Sequence, residues 1–224
     1  MSQSFKDYKV IILPMSGIND NNIVKSLDGE IIVDNLETIN KDATIFTGLV
    51  TEKMKKIDAK IISFLSYKNI KELNNKITCD GIEADIKEKN KRIITILGYG
   101  NIGKELYKRL VSKGINCIVG DIDESKMNDV NHKFNTENIE EFKKTVNKSS
   151  IVINTVPHNI INDEIISSFN DKVYILDIAS YPHGINQKYV ENLNYHLYLG
   201  IPGKYNPSES GAVLLKKVQE IIGG

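Results

Sequence analysis

The chain has 224 residues, and its 29 Lys and Arg balance 29 Asp and Glu, a zero formal net charge that excludes a broad electrostatic surface for nucleic acid or anionic membrane and leaves only local basic patches. That length holds one large or two small domains with ample core. Two widely separated cysteines, Cys79 and Cys117, argue against a structural disulfide, and an N-terminal MSQSFKDYKV unlike a signal peptide, with no apolar run of membrane-spanning length, leads to the expectation of a soluble cytoplasmic protein.

Residues 9 to 13, KVIIL, read as a short strand that ends in PMSGINDNN, where Pro14, Gly17 and Asn19 to Asn22 mark a loop. GEIIVDN, DATIFTGL and AKIISFLS supply three further strand-like runs, and TEKMKKID is a short polar connection with helical propensity. These pieces predict a small α/β domain of flavodoxin-like kind over residues 1–80, thin in helices. GIEADIKEKNKR is strongly charged and favours helix; residues 81–91 read as a solvated linker helix, or as a hinge beside a cleft. Residues 92–224 then alternate strand and helix, which predicts a doubly wound parallel sheet, a Rossmann domain.

Within that second part, IITILGYGNIGKELYKRLVSKGINCIVGD sets Gly98, Gly100 and Gly103 in G-x-G-x-x-G spacing between an apolar strand and a helix. In such a unit the glycines provide a tight turn, a close backbone approach to a pyrophosphate and close helix–strand packing, and the helix N-terminus offers free N–H groups to the phosphates. Ile102, Leu106, Leu110 and Val111 are expected on one helical face, Gly114 as the stop, and Ile115, Cys117 and Val119 in a second strand ending at Asp121. An acidic residue there is the expected partner of the adenosine ribose hydroxyls and would repel a 2′-phosphate, so NAD is favoured over NADP. The predicted cofactor contacts are Gly98, Tyr99, Gly100, Asn101, Ile102, Gly103, Asp121 and Ile122.

Further on, IEEFKKTVNKS is a predicted helix with Thr136 and Asn138 as candidate caps, SIVINTVP a buried strand, Asp163 to Phe169 a polar helix, KVYILDIASYPHG a strand running into a loop, and NYHLYLG a last short strand. GIPGKYNPSESG reads as a Pro/Gly-rich loop, either plain turn chemistry or a seat for an anionic substrate on backbone amides, and GAVLLKKVQEII as the closing helix. Three loops therefore reach the active edge. In them, Asn154, Thr155, Val156 and Pro157 are expected beside ribose and nicotinamide, and Ala179 and Ser180 facing the nicotinamide, with Thr155 and Ser180 equally explained as chain-end caps. His158 and His183 are candidate proton carriers and Ser180 a third catalytic candidate. Asp177, in an apolar strand, either caps a neighbouring loop or orients a site group. No metal-ligand spacing and no G-x-S-x-G is present.

The segments ILPMSGIND, IFTGL, ILGYGNIG, INTVP, LDIASYPHG and GIPGKYNPSESG, in this order, make the chain resemble the A-subunit family of dipicolinate synthase, with a Rossmann domain related to that of 2-hydroxyacid dehydrogenases. The resemblance implies two domains, nicotinamide-dependent conversion of a tetrahydrodipicolinate-type heterocycle to dipicolinate during sporulation, a small dicarboxylate substrate, and the flavoprotein-like B-subunit of dipicolinate synthase as partner; a homo-oligomer is a separate expectation. Two departures stand out. CDGIEADIKEK is a shortened form of the family's P-T-A-E-G-A region that keeps Glu83 and Ala84, so a dinucleotide-binding sensor or assembly subunit without turnover is the rival reading. Asp121, Ile122 and Asp123 stand where the family tends to place the Arg and Ser that suit NADP. The Arg, Glu and His arrangement of an ordinary 2-hydroxyacid dehydrogenase is not recognisable.

Overall fold

The computed structural model describes residues 5–26, 29–33, 36–89 and 92–223. They form two compact units, residues 1–74 with 208–224, and residues 75–207. The closing helix thus counts with the first unit, whereas the sequence reading kept it with the second.

In the first unit, β1 (Val10–Ile12), β4 (Thr44–Thr47) and β5 (Lys60–Ser63) form a parallel sheet with β4 in the middle, while β2 (Ile23–Ser26) and β3 (Gly29–Ile32) pair as a separate antiparallel ribbon. Strand β4 is the apolar TIFT run and is buried along most of its length, as a central parallel strand requires. Ile11, Ile18, Ala43, Ile45 and Met54 make one cluster of its core, and Phe46 stacks on Phe64 at 5.8 Å in another with Ile70 and Val218. The polar TEKMKKID connection contains one 3-10 turn, Met54–Lys56, which points Met54 inward.

Helix α1 (Lys68–Asp85) begins in the first unit and ends in the second. It corrects the linker expectation: helix starts at Lys68 and takes in residues 81–85 of the predicted 81–91 segment, whose residues 90 and 91 lie outside the described residues. Ile70, Leu73 and Ile77 mark its apolar stripe, but Asn74, Asn75 and Gly81 are weak helix formers that mask the pattern.

The second unit carries β6 (Ile94–Leu97), α2 (Asn101–Ser112), β7 (Cys117–Asp121), β8 (Lys133–Asn135), α3 (Ile139–Lys148), β9 (Ile151–Asn154), α4 (Asp163–Ile166), β10 (Tyr174–Asp177), β11 (Tyr195–Leu197) and α5 (Ile201–Tyr205); α6 (Pro207–Ile222) follows. Its six strands are parallel in the order β8-β7-β6-β9-β10-β11, the Rossmann order, which reverses direction between β6 and β9. Both faces are covered: Ile94, Ile96, Val119, Ile153 and Leu176 belong to one buried cluster, and Leu97, Val152 and Ile175 to the other.

Several local expectations change. Strand β8 lies between Asp121 and α3, its single buried side chain being Phe134. Val111 is exposed, and Tyr107 takes its place beside Gly103, Leu106 and Leu110 on the buried face of α2. Asn138, not Thr136, caps α3 by accepting from Glu141 N–H. The GIPGKYNPSESG loop is largely helical, because Pro202 sits in the first turn of α5 and Pro207 opens α6, where a missing N–H costs nothing. Among the described residues, no helix is long and apolar enough to cross a membrane.

Candidate functional site

The register of the sheet brings Leu97, Gly120, Asn154 and Asp177 level with one another at the carboxyl ends of β6, β7, β9 and β10. The residues that follow them share one edge, at the switch point where such sheets hold their ligands.

The β6–α2 turn is fixed by crowding. Gly98 has φ +93°, and a Cβ there would lie 2.4 Å from Thr155 Oγ1 and 2.8 Å from Val156 Cγ2. A Cβ on Gly103 would lie 2.0 Å from Gly98 O, so α2 can pack on the turn only with glycine at that position. Gly100 caps α2 without a side-chain bond, which leaves the first-turn N–H groups, Asn101 among them, to an anion.

Asp121 is held by the backbone. Tyr99 N–H donates to its Oδ2 at 2.7 Å and Asp123 N–H to its Oδ1 at 3.0 Å. Remaining lone pairs can accept from ribose hydroxyls, whereas a 2′-phosphate would meet like charge. Ile122 follows with 59% of its surface exposed, an apolar face beside the carboxylate. The Tyr99 side chain is an anchor: it is buried, its hydroxyl donates to Asp129 at 2.9 Å, and burial first, then Asp129, push the phenol well above its usual range. Ile102 packs partly buried, so of these turn residues Tyr99 and Ile102 face the protein while Gly100 and Asn101 face outward.

At the end of β9, Thr155 Oγ1 donates to Leu97 O at 2.9 Å, a strand-end cap, and Val156 N–H donates to Asn154 Oδ1 at 3.2 Å. Pro157 and His158 are exposed.

At the end of β10, Asp177 is fully buried and accepts four hydrogen bonds: Oδ1 from Asn154 Nδ2 at 2.9 Å and Ala179 N–H at 3.0 Å, Oδ2 from Gly184 N–H at 2.7 Å and Tyr195 hydroxyl at 3.1 Å. It thereby ties both ends of the ASYPHG loop to the sheet. Ala179 is buried within this arrangement, while Ser180 and Tyr181 are exposed. His183 is buried at φ +69° with Nδ1 at 2.8 Å from Ala179 O. A carbonyl only accepts, so Nδ1 carries the proton and Nε2 is the basic nitrogen.

Three further groups that the sequence singles out have these surroundings. Within α5, Lys204 N–H donates to Gly200 O and Asn206 N–H to Pro202 O, so these two amides are used inside the helix. Glu83 pairs with Lys113 and, at 3.7 Å, with Arg109. Burial pushes the Cys79 and Cys117 thiols up to about 12, and neither supplies a thiolate. Of the two roles expected for Asp177 the structure shows the loop cap, and Asn154 is buried against it; what sequence reasoning missed is that these two and Tyr195 form one cluster. Its signal was a polar residue closing each of two apolar runs, IVIN and YILD.

Residues 52–183 match the family described as D-isomer specific 2-hydroxyacid dehydrogenase, NAD binding domain. Over 237 aligned residues the chain is 26% identical to the dipicolinate synthase A-subunit of Bacillus subtilis strain 168, covering 97% of this chain and 79% of that protein. Among solved structures, the dipicolinate synthase A-subunit of Bacillus halodurans superposes with a TM-score of 0.85 at 18% identity, over 98% of this chain and 81% of that one. The corresponding Bacillus subtilis structure superposes with a TM-score of 0.75 at 25% identity, over 98% and 79% of the two chains.

Proposed function

We propose, from the premise that this chain belongs to the D-isomer specific 2-hydroxyacid dehydrogenase NAD-binding family and is a dinucleotide-dependent oxidoreductase, that it acts as a dipicolinate synthase A-subunit. The observation that carries this reading is the likeness to that enzyme's A-subunit along 97% of the chain, beyond the NAD-binding part alone. The substrate is then a tetrahydrodipicolinate-type heterocycle, a small dicarboxylate, and the product dipicolinate. A hydroxylated tetrahydro ring reaches aromaticity by losing water and, in one oxidation, a hydride and a proton.

The residues at the strand ends fit NAD. Gly98 to Gly103 and the N-terminus of α2 would hold the pyrophosphate, and Asp121 the adenosine ribose with Ile122 beside it. Thr155, Val156, Pro157 and Ala179 would border the nicotinamide end of the site. When bound, the nicotinamide supplies the acceptor for the hydride. For the proton, the exposed His158 is the better placed group. His183 is enclosed by its own loop, and its part would be to shape that loop with Nε2 as the remaining basic nitrogen. Ser180, exposed after β10, would hydrogen-bond a substrate carboxylate.

Assembly with a second, flavoprotein-like subunit is part of the proposal, supported by the subunit designation of the relatives; self-association and a reducing cytoplasmic setting complete it, the latter supported by two free thiols. The second reading is a dinucleotide-binding subunit without turnover, favoured by the shortened CDGIEADIKEK region, which lies in and just after α1. One assay separates them. The chain, alone and with a flavoprotein-like partner, is given the heterocycle and NAD or NADP while reduced cofactor is followed by absorbance. Dipicolinate-linked reduction of NAD, lost in His158→Gln, is the expected outcome. Tight NAD binding without turnover under every pairing would leave only the second reading.

A further inference from the structure

The opposite edge of the same sheet, where β6, β9, β10 and β11 begin, carries a cavity of about 420 Å³ whose lining includes Lys89, Arg92, Lys148 and Lys172 and no Asp or Glu. Its volume is that of a small-molecule site. In a chain of zero net charge, four cations around one hollow without a carboxylate among them are a local excess. Other basic side chains of this unit are paired with acids: Arg109 lies 2.6 Å from Asp80 and 2.7 Å from Glu105, and Lys143 lies 2.6 Å from Glu164. Among the described residues, none of the four cations of the cavity forms an ion pair, and Lys89 rests instead over the Tyr174 ring at 4.5 Å. The nearby carboxylate of Asp85 is engaged by the Tyr174 hydroxyl at 2.6 Å.

The hydrogen-bonding capacity left in the hollow is mostly that of donors. The carbonyls of Asn147 and Ser149 both accept from Asn170 Nδ2 at 2.8 Å, which engages two of the acceptors at the end of α3. Ser150 O accepts from Tyr174 N–H at 3.0 Å and Asn194 O from Ile175 N–H at 2.9 Å. Ser150 Oγ is spent on Ile93, donating to its carbonyl and accepting from its N–H. Asn194 Oδ1 faces His196 Nε2 at 2.9 Å, so the Asn194 amide turns its N–H₂ to other partners. Cations and an amide N–H₂ around a polar hollow are the donor set of an oxyanion site, and a multivalent anion would relieve the mutual repulsion of the four cations.

We propose that this cavity binds a small multivalent oxyanion, of phosphate or polycarboxylate type, at a site separate from the dinucleotide turn. The test is titration calorimetry of the full chain with inorganic pyrophosphate and, separately, with citrate, in chloride at about physiological ionic strength so that diffuse attraction is screened. Saturable submillimolar binding of one of them is expected, and the tighter of the two names the ligand type. Arg92→Gln with Lys172→Gln should weaken it at least about tenfold, since two charge-assisted donors are lost. Both side chains are exposed, so the double variant keeps its fold, checked by its thermal transition. Saturating NAD should leave the anion in place. Absence of saturable binding, equal affinity in the double variant, or displacement by NAD would each overturn the proposal, as would tighter binding of a single-stranded oligonucleotide than of either small anion.

Discussion

The two loops that frame the cofactor edge are held by opposite means. The β6–α2 turn is a matter of steric exclusion: its shape follows from what cannot fit at Gly98 and Gly103. The ASYPHG loop after β10 is a matter of attraction, one buried carboxylate gathering donors from β9, from both ends of its own loop and from β11. A steric device fails when an atom is added and an electrostatic one when an atom is removed. The contrast tells which substitution breaks which loop.

Asp177→Ala should have the largest effect, because it strands four donors in a site without water access; a loss of about 4 kcal/mol of stability is expected from urea unfolding. A loss below about 1 kcal/mol would mean that the carboxylate does not hold the loop. Gly103→Ala comes next. Its methyl would need room now held by a backbone carbonyl, which predicts a loss of about 3 kcal/mol together with failure to retain NAD. If NAD affinity survives in that variant, the close packing of α2 on the turn is not what shapes the phosphate seat. Asp121→Ala should be the mildest: the fold stays, NAD affinity falls about tenfold in a fluorescence titration, and NADP is affected less. Equal losses for the two cofactors would remove the ribose role.

The same contrast explains what can be read from the chain. The strands ITIL, IVIN and YILD are apolar runs because a parallel sheet covered on both faces has no wet side, so the Rossmann frame is legible. So is the glycine turn, since exclusion leaves its mark as a spacing within one short segment, and Asp121 stands at a set distance beyond it. The Asp177 network leaves no such mark. Asn154, Asp177, Gly184 and Tyr195 belong to separate segments, and only the folded sheet makes them neighbours. His183 reads, like His158, as a loop candidate for proton transfer until its burial and its bond to Ala179 O are seen. Local punctuation also misleads: Pro202 and Pro207 signal a loop to the eye, yet both open helices. Strand β8, with Phe134 alone turned inward, is too short to show a pattern.

The two amide hydrogen bonds to Asp121 have a thermodynamic consequence for the ligand. A carboxylate at a strand end would ordinarily sample several rotamers, and ordering such a side chain on binding costs about 0.5–1.5 kcal/mol of conformational entropy. Here Tyr99 and Asp123 have already imposed that order, as part of folding. In the proposed role, the ribose would therefore meet a rigid acceptor, and selectivity for its free hydroxyls would be a property of the fold before any cofactor arrives.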